Sequence, residues 1–253
     1  MFDSFTVIAL ICMIFIAAGF VKGVLGMGLP TVAIGILGLV IPPVEAAAML
    51  VLPSLITNVW QLFAGPSFRM LARRFGTLLI GICLGTPIGV SFITSGHTHL
   101  VTAGLGCVLV AYGTYGLTAS KINISPGSEW WISPLIGFCT GILMGATGIS
   151  ALPVAPYFTA LNLKRDDLIQ GLGLTFTISS FALALGLLLT GQFQMGLAAS
   201  SLFALIPAFA GMFLGQAVRM RLKQEVFRRF FFLGLLILGA YMAIRSFMLA
   251  LAS

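Results

Sequence analysis

Residues 19–30 read GFVKGVLGMGLP, and residues 137–148 read GFCTGILMGATG, with ALP following at 151–153. Both stretches lie deep in apolar sequence. Both carry glycines and a proline, which an uninterrupted helix disfavours because glycine costs backbone entropy and proline removes a hydrogen-bond donor. A Gly/Pro-interrupted apolar segment at corresponding positions of the two halves of a chain indicates a substrate site in a membrane transporter.

The composition identifies lipid as the main solvent of this chain. Of its 253 residues, 59% are hydrophobic and only 8% are charged, and the mean hydropathy is +1.13. A soluble domain carries about 25% charged residues, so these charges are too few to cover a water-exposed surface. The net charge of +7 would suit nucleic acid in a soluble protein, but here the basic residues cluster in short loops and indicate membrane orientation instead.

The apolar runs predict an all-α membrane protein with 8–10 transmembrane helices. A spanning helix needs about 20 apolar residues. Two stretches, 5–42 and 130–160, are too long for one helix and contain the two breaks, so each predicts a hairpin of two short helices. The remaining runs predict single spans at 44–64, 76–95, 99–118, 168–190, 196–217 and 229–250.

The basic residues indicate how the chain is oriented. Eleven of the thirteen Lys and Arg residues fall in one set of loops, whereas the loops near 43, 96 and 192 contain none. The positive-inside rule places the basic loops in the cytoplasm of a multi-pass membrane protein, which predicts that both termini lie on the opposite, periplasmic side. The eleven are Arg69, Arg73, Arg74, Lys121, Lys164, Arg165, Arg219, Arg221, Lys223, Arg228 and Arg229.

The loops also predict an internal repeat. Segment 130–160 lies between two basic loops, so it enters and returns on the cytoplasmic side, whereas 5–42 does so from outside. Glu45 and the run 53–58 align with Asp167 and the run 175–180 at one constant offset. Equivalent loops then lie on opposite sides, which predicts inverted-topology repeats. The repeats span 1–118 and 130–253 and are joined by a cytoplasmic linker, 119–129.

The duplicated Gly-rich segment ending in proline, and the Ser/Thr-rich helix after each copy, resemble the sulfite exporter TauE/SafE family of membrane transporters. That family usually has a glycine-richer run and a Thr-Ser-Leu triplet in the helix that follows it; here residues 53–55 read PSL in the first half and residues 175–177 read TFT in the second. The resemblance covers nearly the whole chain. It implies transport of sulfite, organosulfonates such as sulfoacetate, or related small anions across the bacterial inner membrane.

Lys22 is the sharpest candidate for a binding residue. It lies in an apolar run, four residues before Gly26. A lysine at bilayer depth costs about 2.5–3.5 kcal/mol on insertion scales, so it usually has a partner or a role. One interpretation is a fixed positive charge that attracts an anion. The other is that a short helix lets Lys22 reach the interface or pair with Glu45.

The two breaks supply a second kind of anion ligand. Where a half-helix begins, free backbone N–H groups and the helix dipole favour an anion, and glycine allows close approach. The alternative is that these small residues only permit tight helix packing. The positions concerned are Gly26, Met27, Gly28, Leu29, Gly145, Ala146, Thr147 and Gly148.

Polar side chains near the breaks complete the predicted substrate site, because hydroxyl and amide donors suit an oxyanion. Interhelical hydrogen bonds are the alternative for each of them. Glu45 is a possible proton-coupling carboxylate, although its position at a helix start favours a capping role. The polar candidates are Ser54, Thr57, Asn58 and Gln61, on one helical face, with Gln170, Thr175, Ser179, Thr147 and Ser150 in the other half.

Three classes of function remain to be compared. A secondary transporter of small sulfur-containing anions, working by alternating access, agrees best with the paired breaks. A passive anion channel of the same architecture is the alternative. An enzyme is disfavoured, because no Ser–His pair lies at depth and no cluster of carboxylates could hold a metal. The expected partners are a small anionic substrate and the bilayer, without metal, cofactor or nucleic acid, and the oligomeric state is open.

Overall fold

The computed structural model describes residues 4–118, 123–193, 195–219, 221 and 224–252, and these residues form eleven α-helices and no strand. Lys121, Lys223 and part of the predicted linker lie outside the described residues. The helices are α1 (Ser4–Leu25), α2 (Leu29–Leu37), α3 (Pro43–Leu62), α4 (Phe68–Arg74), α5 (Gly76–Ile93), α6 (Thr98–Thr118), α7 (Glu129–Thr147), α8 (Val154–Ala160), α9 (Arg165–Leu189), α10 (Met195–Val218) and α11 (Gln224–Ala252).

The predicted all-α membrane fold is confirmed. Within the described residues, seven helices are long and apolar enough to cross a bilayer: α3, α5, α6, α7, α9, α10 and α11. Helix α1 adds a shorter apolar segment, Ala9–Leu25. Each of the six predicted single spans coincides with one helix, because an apolar run of about 20 residues bounded by charged or turn residues leaves a spanning helix as the only satisfied backbone arrangement.

The prediction that each broken stretch forms two short helices was wrong. Each forms one long and one short helix: α1 has 22 residues and α2 nine, and α7 has 19 residues and α8 seven. The break falls where the backbone first turns left-handed, at Gly26 (φ 77°) and at Gly148 (φ 73°). The motif glycines before them, Gly19 and Gly23 in α1 and Gly137, Gly141 and Gly145 in α7, remain helical.

Those earlier glycines bring helix backbones into direct contact. Helix α1 packs on α10, and a Cβ atom at Gly23 would lie 2.2 Å from the carbonyl oxygen of Met212. Helix α7 packs on α5 in the same way, since a Cβ at Gly145 would lie 2.3 Å from the carbonyl oxygen of Thr86. Gly145 therefore serves close packing, which is the common use of small residues between membrane helices.

The long helices of the two halves pack on each other in a pattern with approximate two-fold symmetry. The opening helix of each half packs on the third long helix of the other, α1 on α10 and α7 on α5, while α3 packs on α9 and α6 on α11. Asn58 and Ser180, 122 positions apart, are hydrogen-bonded at 3.2 Å. The same offset relates Gly26 to Gly148. A residue that touches its own counterpart lies beside a two-fold axis, which supports the predicted repeats; their opposite orientations in the membrane stay a prediction.

A charged contact joins the two halves at the basic loops. Arg74, at the end of α4, donates from Nη2 and Nε to the Glu129 carboxylate, at 2.6 and 2.9 Å. This bidentate pair raises the pKa of the Arg74 guanidinium. The Arg74 side chain is 35% exposed, so we expect the pair to stabilise the fold by less than about 1 kcal/mol.

We expect Gly85→Ala in α5 to lower the free energy of unfolding of the purified protein by about 1–3 kcal/mol, and so to lower its melting temperature. A Cβ at Gly85 would lie 2.2 Å from the carbonyl oxygen of Phe138, so α5 and α7 must move apart. Gly104→Ala in α6 is the matched control, because nothing lies within 4 Å of its Cβ. Thermal unfolding in detergent measures both variants, and equal melting temperatures would contradict the packing role of Gly85.

Candidate functional site

Lys22 is buried in the last turn of α1, with 3% of its surface exposed. Its Nζ donates to Thr57 Oγ1 at 3.1 Å and to Asn58 Oδ1. Glu45 is exposed in the first turn of α3 and forms no pair with Lys22, since the ion pairs of the described residues comprise only Arg74–Glu129. The ammonium group is therefore surrounded by neutral oxygens, without a carboxylate to balance its charge.

Asn58 connects this lysine to the other half of the chain. Its Oδ1 accepts from Lys22, and its Nδ2 donates to Ser180 Oγ. Thr57 is held by its own helix, because its hydroxyl donates to the carbonyl oxygen of Pro53 at 2.7 Å. Sequence reasoning missed Ser180, although the alignment of the two halves places it opposite Asn58 and carried that signal.

A cavity of about 440 Å³, which we call the lysine cavity, has Lys22 in its wall. Lys22 is buried and Arg165 is exposed, so the cavity extends from the interior to the protein surface. Its wall is rich in amides and cations. The cavity is lined by Lys22, Gly23, Gly26, Trp60, Gln61, Ala64, Gly65, Arg165, Asp166, Ile169, Gln170, Met212, Gln216 and Arg219.

Gln61 fixes the first break against α9. Its Nε2 donates to the carbonyl oxygens of Gly26 and Ile169, both at 2.9 Å. The N–H of Gly26 in turn donates to the carbonyl oxygen of Lys22 at 2.7 Å. The first break therefore presents a left-handed turn that is held from both sides next to the lysine.

The next three residues of the first break lie outside the wall of the lysine cavity. Met27 accepts a hydrogen bond at Sδ from the Tyr112 hydroxyl, at 3.1 Å. Gly28 precedes α2 with φ 104°, and Leu29 is fully buried in the apolar core. Their contacts are with α6 and the core, so of the four break residues only Gly26 meets the cavity.

The candidates at the second break, Thr147, Gly148 and Ser150, are buried but also lie outside the lysine cavity. Thr147 donates to the carbonyl oxygen of Leu143 at 2.6 Å, at the end of α7. Gly148 follows in a left-handed conformation, and Ser150 is buried beyond it. Gly148 lines a void of about 10 Å³ that it shares with Ser54, whose buried Oγ has no hydrogen-bond partner.

Two further candidates in α9 bond to their own helix. Thr175 donates to the carbonyl oxygens of Gly171 and Leu172, both at 3.1 Å, and Ser179 donates to that of Thr175 at 2.8 Å. Hydroxyl groups in this arrangement are satisfied by backbone carbonyls. Thr175 and Ser179 are therefore bonded within α9 and do not line the lysine cavity.

Gln170 lines the lysine cavity, and its side-chain amide forms hydrogen bonds with the backbone at the end of α3 and in the turn that follows. Its Nε2 donates to the carbonyl oxygens of Leu62 at 2.8 Å and Gly65 at 2.6 Å, and its Oε1 accepts from the N–H of Ser67 at 2.8 Å. One side chain therefore satisfies three backbone groups of the turn that follows α3.

Ten cavity residues were not among the predicted site residues, and five of them have large polar, charged or aromatic side chains: Trp60, Arg165, Asp166, Gln216 and Arg219. The two arginines were counted only as loop charges that set orientation. Gln216 is an amide within an apolar helix, the same scarcity that singled out Asn58 and Gln61, so the sequence did carry a signal for it.

We expect Gln170→Glu to destabilise the protein by about 1–3 kcal/mol, because it replaces the donor that satisfies two carbonyl groups with an acceptor that repels them. Gln192→Glu, in the exposed turn after α9, makes the same chemical change where no such bonds exist and serves as the control. Thermal unfolding in detergent tests both variants. An unchanged melting temperature for Gln170→Glu would contradict the backbone-bonding role of this residue.

The family model for Sulfite exporter TauE/SafE matches residues 11–242, which cover both breaks, Lys22 and every residue of the lysine cavity. No curated protein and no solved structure matches the chain. The chain therefore belongs to the TauE/SafE sulfite exporter family of membrane transporters.

Proposed function

We propose that this protein is a secondary transporter that moves small sulfur-containing anions, sulfite or organosulfonates such as sulfoacetate, across the bacterial inner membrane. The observation that carries this proposal is the buried ammonium group of Lys22, which has neutral hydrogen-bond partners and no carboxylate partner among the described residues. A buried charge without a counter-charge is unfavourable, and an anion that reaches it removes that cost.

The hydrogen-bond count of Lys22 supports this role. An ammonium group has three donors. Thr57 and Asn58 accept two of them, which leaves one for a ligand. The fixed partners orient the ammonium group before the ligand arrives, so little side-chain entropy is lost on binding. Lys22 therefore combines a donor that is open to a ligand with a position held by Thr57 and Asn58.

The lysine cavity has room for the proposed substrates. A water molecule occupies about 30 Å³ of liquid, so a cavity of about 440 Å³ holds on the order of ten waters, or a small anion with part of its hydration shell. Gln61, Gln170 and Gln216 add amide groups to its wall. A partly hydrated site binds an anion without the full cost of stripping its water.

We infer that the two repeats, 1–118 and 130–253, have inverted topology and alternate access to Lys22. The lysine cavity reaches the surface beside the basic start of α9 and the end of α10. Beyond the Asn58–Ser180 contact, the space between the halves is a void of only about 10 Å³, lined by Pro30, Ser54 and Gly148 among others. One open and one closed side agree with a transporter in a single-sided state. Proton coupling by Glu45 stays a prediction.

Lys22→Met tests the charge. We expect it to reduce uptake of radiolabelled sulfite or sulfoacetate into proteoliposomes at least tenfold, because a hydrogen bond to a charged group contributes about 1.5–3 kcal/mol. The melting temperature should be equal or higher, since a buried charge is removed. Lys164→Met, which removes an exposed lysine outside the cavity, is the control and should transport normally. Normal uptake by Lys22→Met would refute the proposal.

Counterflow distinguishes a transporter from a passive anion channel. Proteoliposomes loaded with unlabelled sulfite should transiently accumulate labelled sulfite above its external concentration, and the initial rate should saturate with concentration. An open pore gives neither accumulation nor saturation. Wild-type protein that shows sulfite current without counterflow would establish the channel alternative.

We expect periplasmic termini and cytoplasmic basic loops. Alkaline phosphatase folds only when exported, so a fusion after Ser253 should be active in cells, whereas a fusion after Arg74 should be inactive. The second fusion is the matched control, because it ends in the basic loop between α4 and α5. Because the lysine cavity reaches the surface beside the basic ends of α9 and α10, this orientation also predicts that the cavity opens to the cytoplasm. The reverse pattern of fusion activity would overturn both predictions.

A further inference from the structure

Two arginines stand where the lysine cavity meets the surface. Arg165 is the first residue of α9, and Arg219 directly follows α10. Both line the lysine cavity, and Arg165 is exposed whereas Lys22 is buried. An anion that enters this cavity from the surface therefore passes the two guanidinium groups before it reaches the ammonium group.

Arg219 is incompletely paired. Its Nε is buried and has no hydrogen-bond partner. Burial and the nearby charge of Arg165 lower the pKa of the Arg219 guanidinium, while Asp166 acts in the opposite direction. No ion pair joins Arg219 to a carboxylate among the described residues. The guanidinium groups of Arg165 and Arg219 are therefore close to each other, and the buried Nε of Arg219 has no acceptor.

The same two arginines also line a second cavity of about 630 Å³, together with Tyr115, Asn162 and Arg228 among others. They therefore form part of the wall between the two cavities. A ligand between them would face both cavities, whose walls include Asn162 and Arg228 on one side and Gln216 on the other. Such a position suits a hydrated anion better than an apolar group.

We propose that Arg165 and Arg219 form an outer site that binds a small oxyanion before it moves on to Lys22. This inference rests on the proposed function. A guanidinium group presents a planar fork of donors that includes Nε, and this fork matches the oxygen atoms of a sulfite or sulfonate group. A bound oxyanion would satisfy the open Nε of Arg219 and would separate the two like charges.

The outer site predicts a change in KM. In proteoliposomes, Arg219→Gln should raise the KM for sulfite or sulfoacetate about tenfold, the effect of losing one charge-assisted hydrogen bond, with the maximal rate within about twofold of wild type. Arg221→Gln is the matched control, because it removes the same charge two positions along the chain from an exposed residue that lines neither cavity. Its KM should remain that of wild type.

Equilibrium binding separates the outer site from Lys22. Lys22→Met should still bind radiolabelled sulfite in detergent, whereas Lys22→Met combined with Arg219→Gln should not. If Arg219→Gln does not fold, Arg165→Gln, at an exposed position, takes its place. Equal KM values for Arg219→Gln and Arg221→Gln, or equal sulfite binding by the single and double variants, would overturn the inference.

These results are distinguishable from a failure of the proposed function. If Lys22→Met stops transport but Arg219→Gln behaves like Arg221→Gln, only the outer site is wrong. If wild-type protein neither binds nor transports sulfite or sulfoacetate, both proposals fall. If sulfite binds through Arg219 but is not transported, the outer site stands as an anion site and the transport proposal falls.

An anionic lipid offers the same oxyanion chemistry through its phosphate group. Vesicles of phosphatidylcholine alone, and vesicles with added phosphatidylglycerol, distinguish the two sources. A free substrate anion predicts the KM difference between Arg219→Gln and Arg221→Gln in both lipids. Copurification of phosphatidylglycerol with wild type and its loss in Arg219→Gln, without a KM difference in phosphatidylcholine, would assign the site to lipid and overturn the inference.

Discussion

Contact between helix backbones at glycine is the constraint on which the arrangement of this protein depends. In lipid, the apolar surfaces of helices gain little from meeting one another, so close packing and hydrogen bonds must hold them together. Gly23 touches the backbone of Met212 and Gln216, and both of these residues line the lysine cavity. The contact that joins α1 to α10 therefore also sets the width of the cavity beside Lys22.

Polar side chains then connect the packed pairs across the chain. Lys22 bonds to Asn58 and Asn58 to Ser180, which links α1, α3 and α9. Gln61 makes a second connection between the same three elements, from the first break to Ile169. A polar network in a low-dielectric interior is rigid when its members are satisfied. The two networks hold the charge of Lys22 in place while leaving it open to the cavity.

The sequence alone was sufficient to predict the membrane spans, the positions of the two breaks and the location of Lys22 inside an apolar segment, because each of these depends on local composition. Residues with a long-range role were harder to interpret. Gln170 appeared as a substrate ligand, yet its amide bonds to the turn after α3, more than 100 positions away. The unequal lengths of α1 and α2 were also not predicted. Gly19 and Gly23 remain helical in α1, where they pack directly on the backbone of α10, and this long-range contact is not visible in the sequence.

The arginines illustrate the same limit. Loop charge predicts orientation without knowledge of the fold, whereas the convergence of Arg165 and Arg219 depends on how α9 and α10 end in space. Arg165 and Arg219 are more than 50 positions apart in sequence, so sequence alone does not predict that their charges are close in space. By contrast, the pairing of Asn58 with Ser180 was within reach, because residues near a two-fold axis meet their own counterparts.

The predicted repeat also gives a physical reason for a lysine in only one half. The offset of 122 positions that relates Asn58 to Ser180 places Met144 opposite Lys22. Lys22 bonds to Asn58, so a lysine at position 144 would reach toward Ser180, which is itself in contact with Asn58. Two ammonium groups roughly 6 Å apart repel by about 3 kcal/mol at an effective dielectric constant of about 20. Met144 is instead buried and apolar, so the repulsion between two buried ammonium groups does not arise.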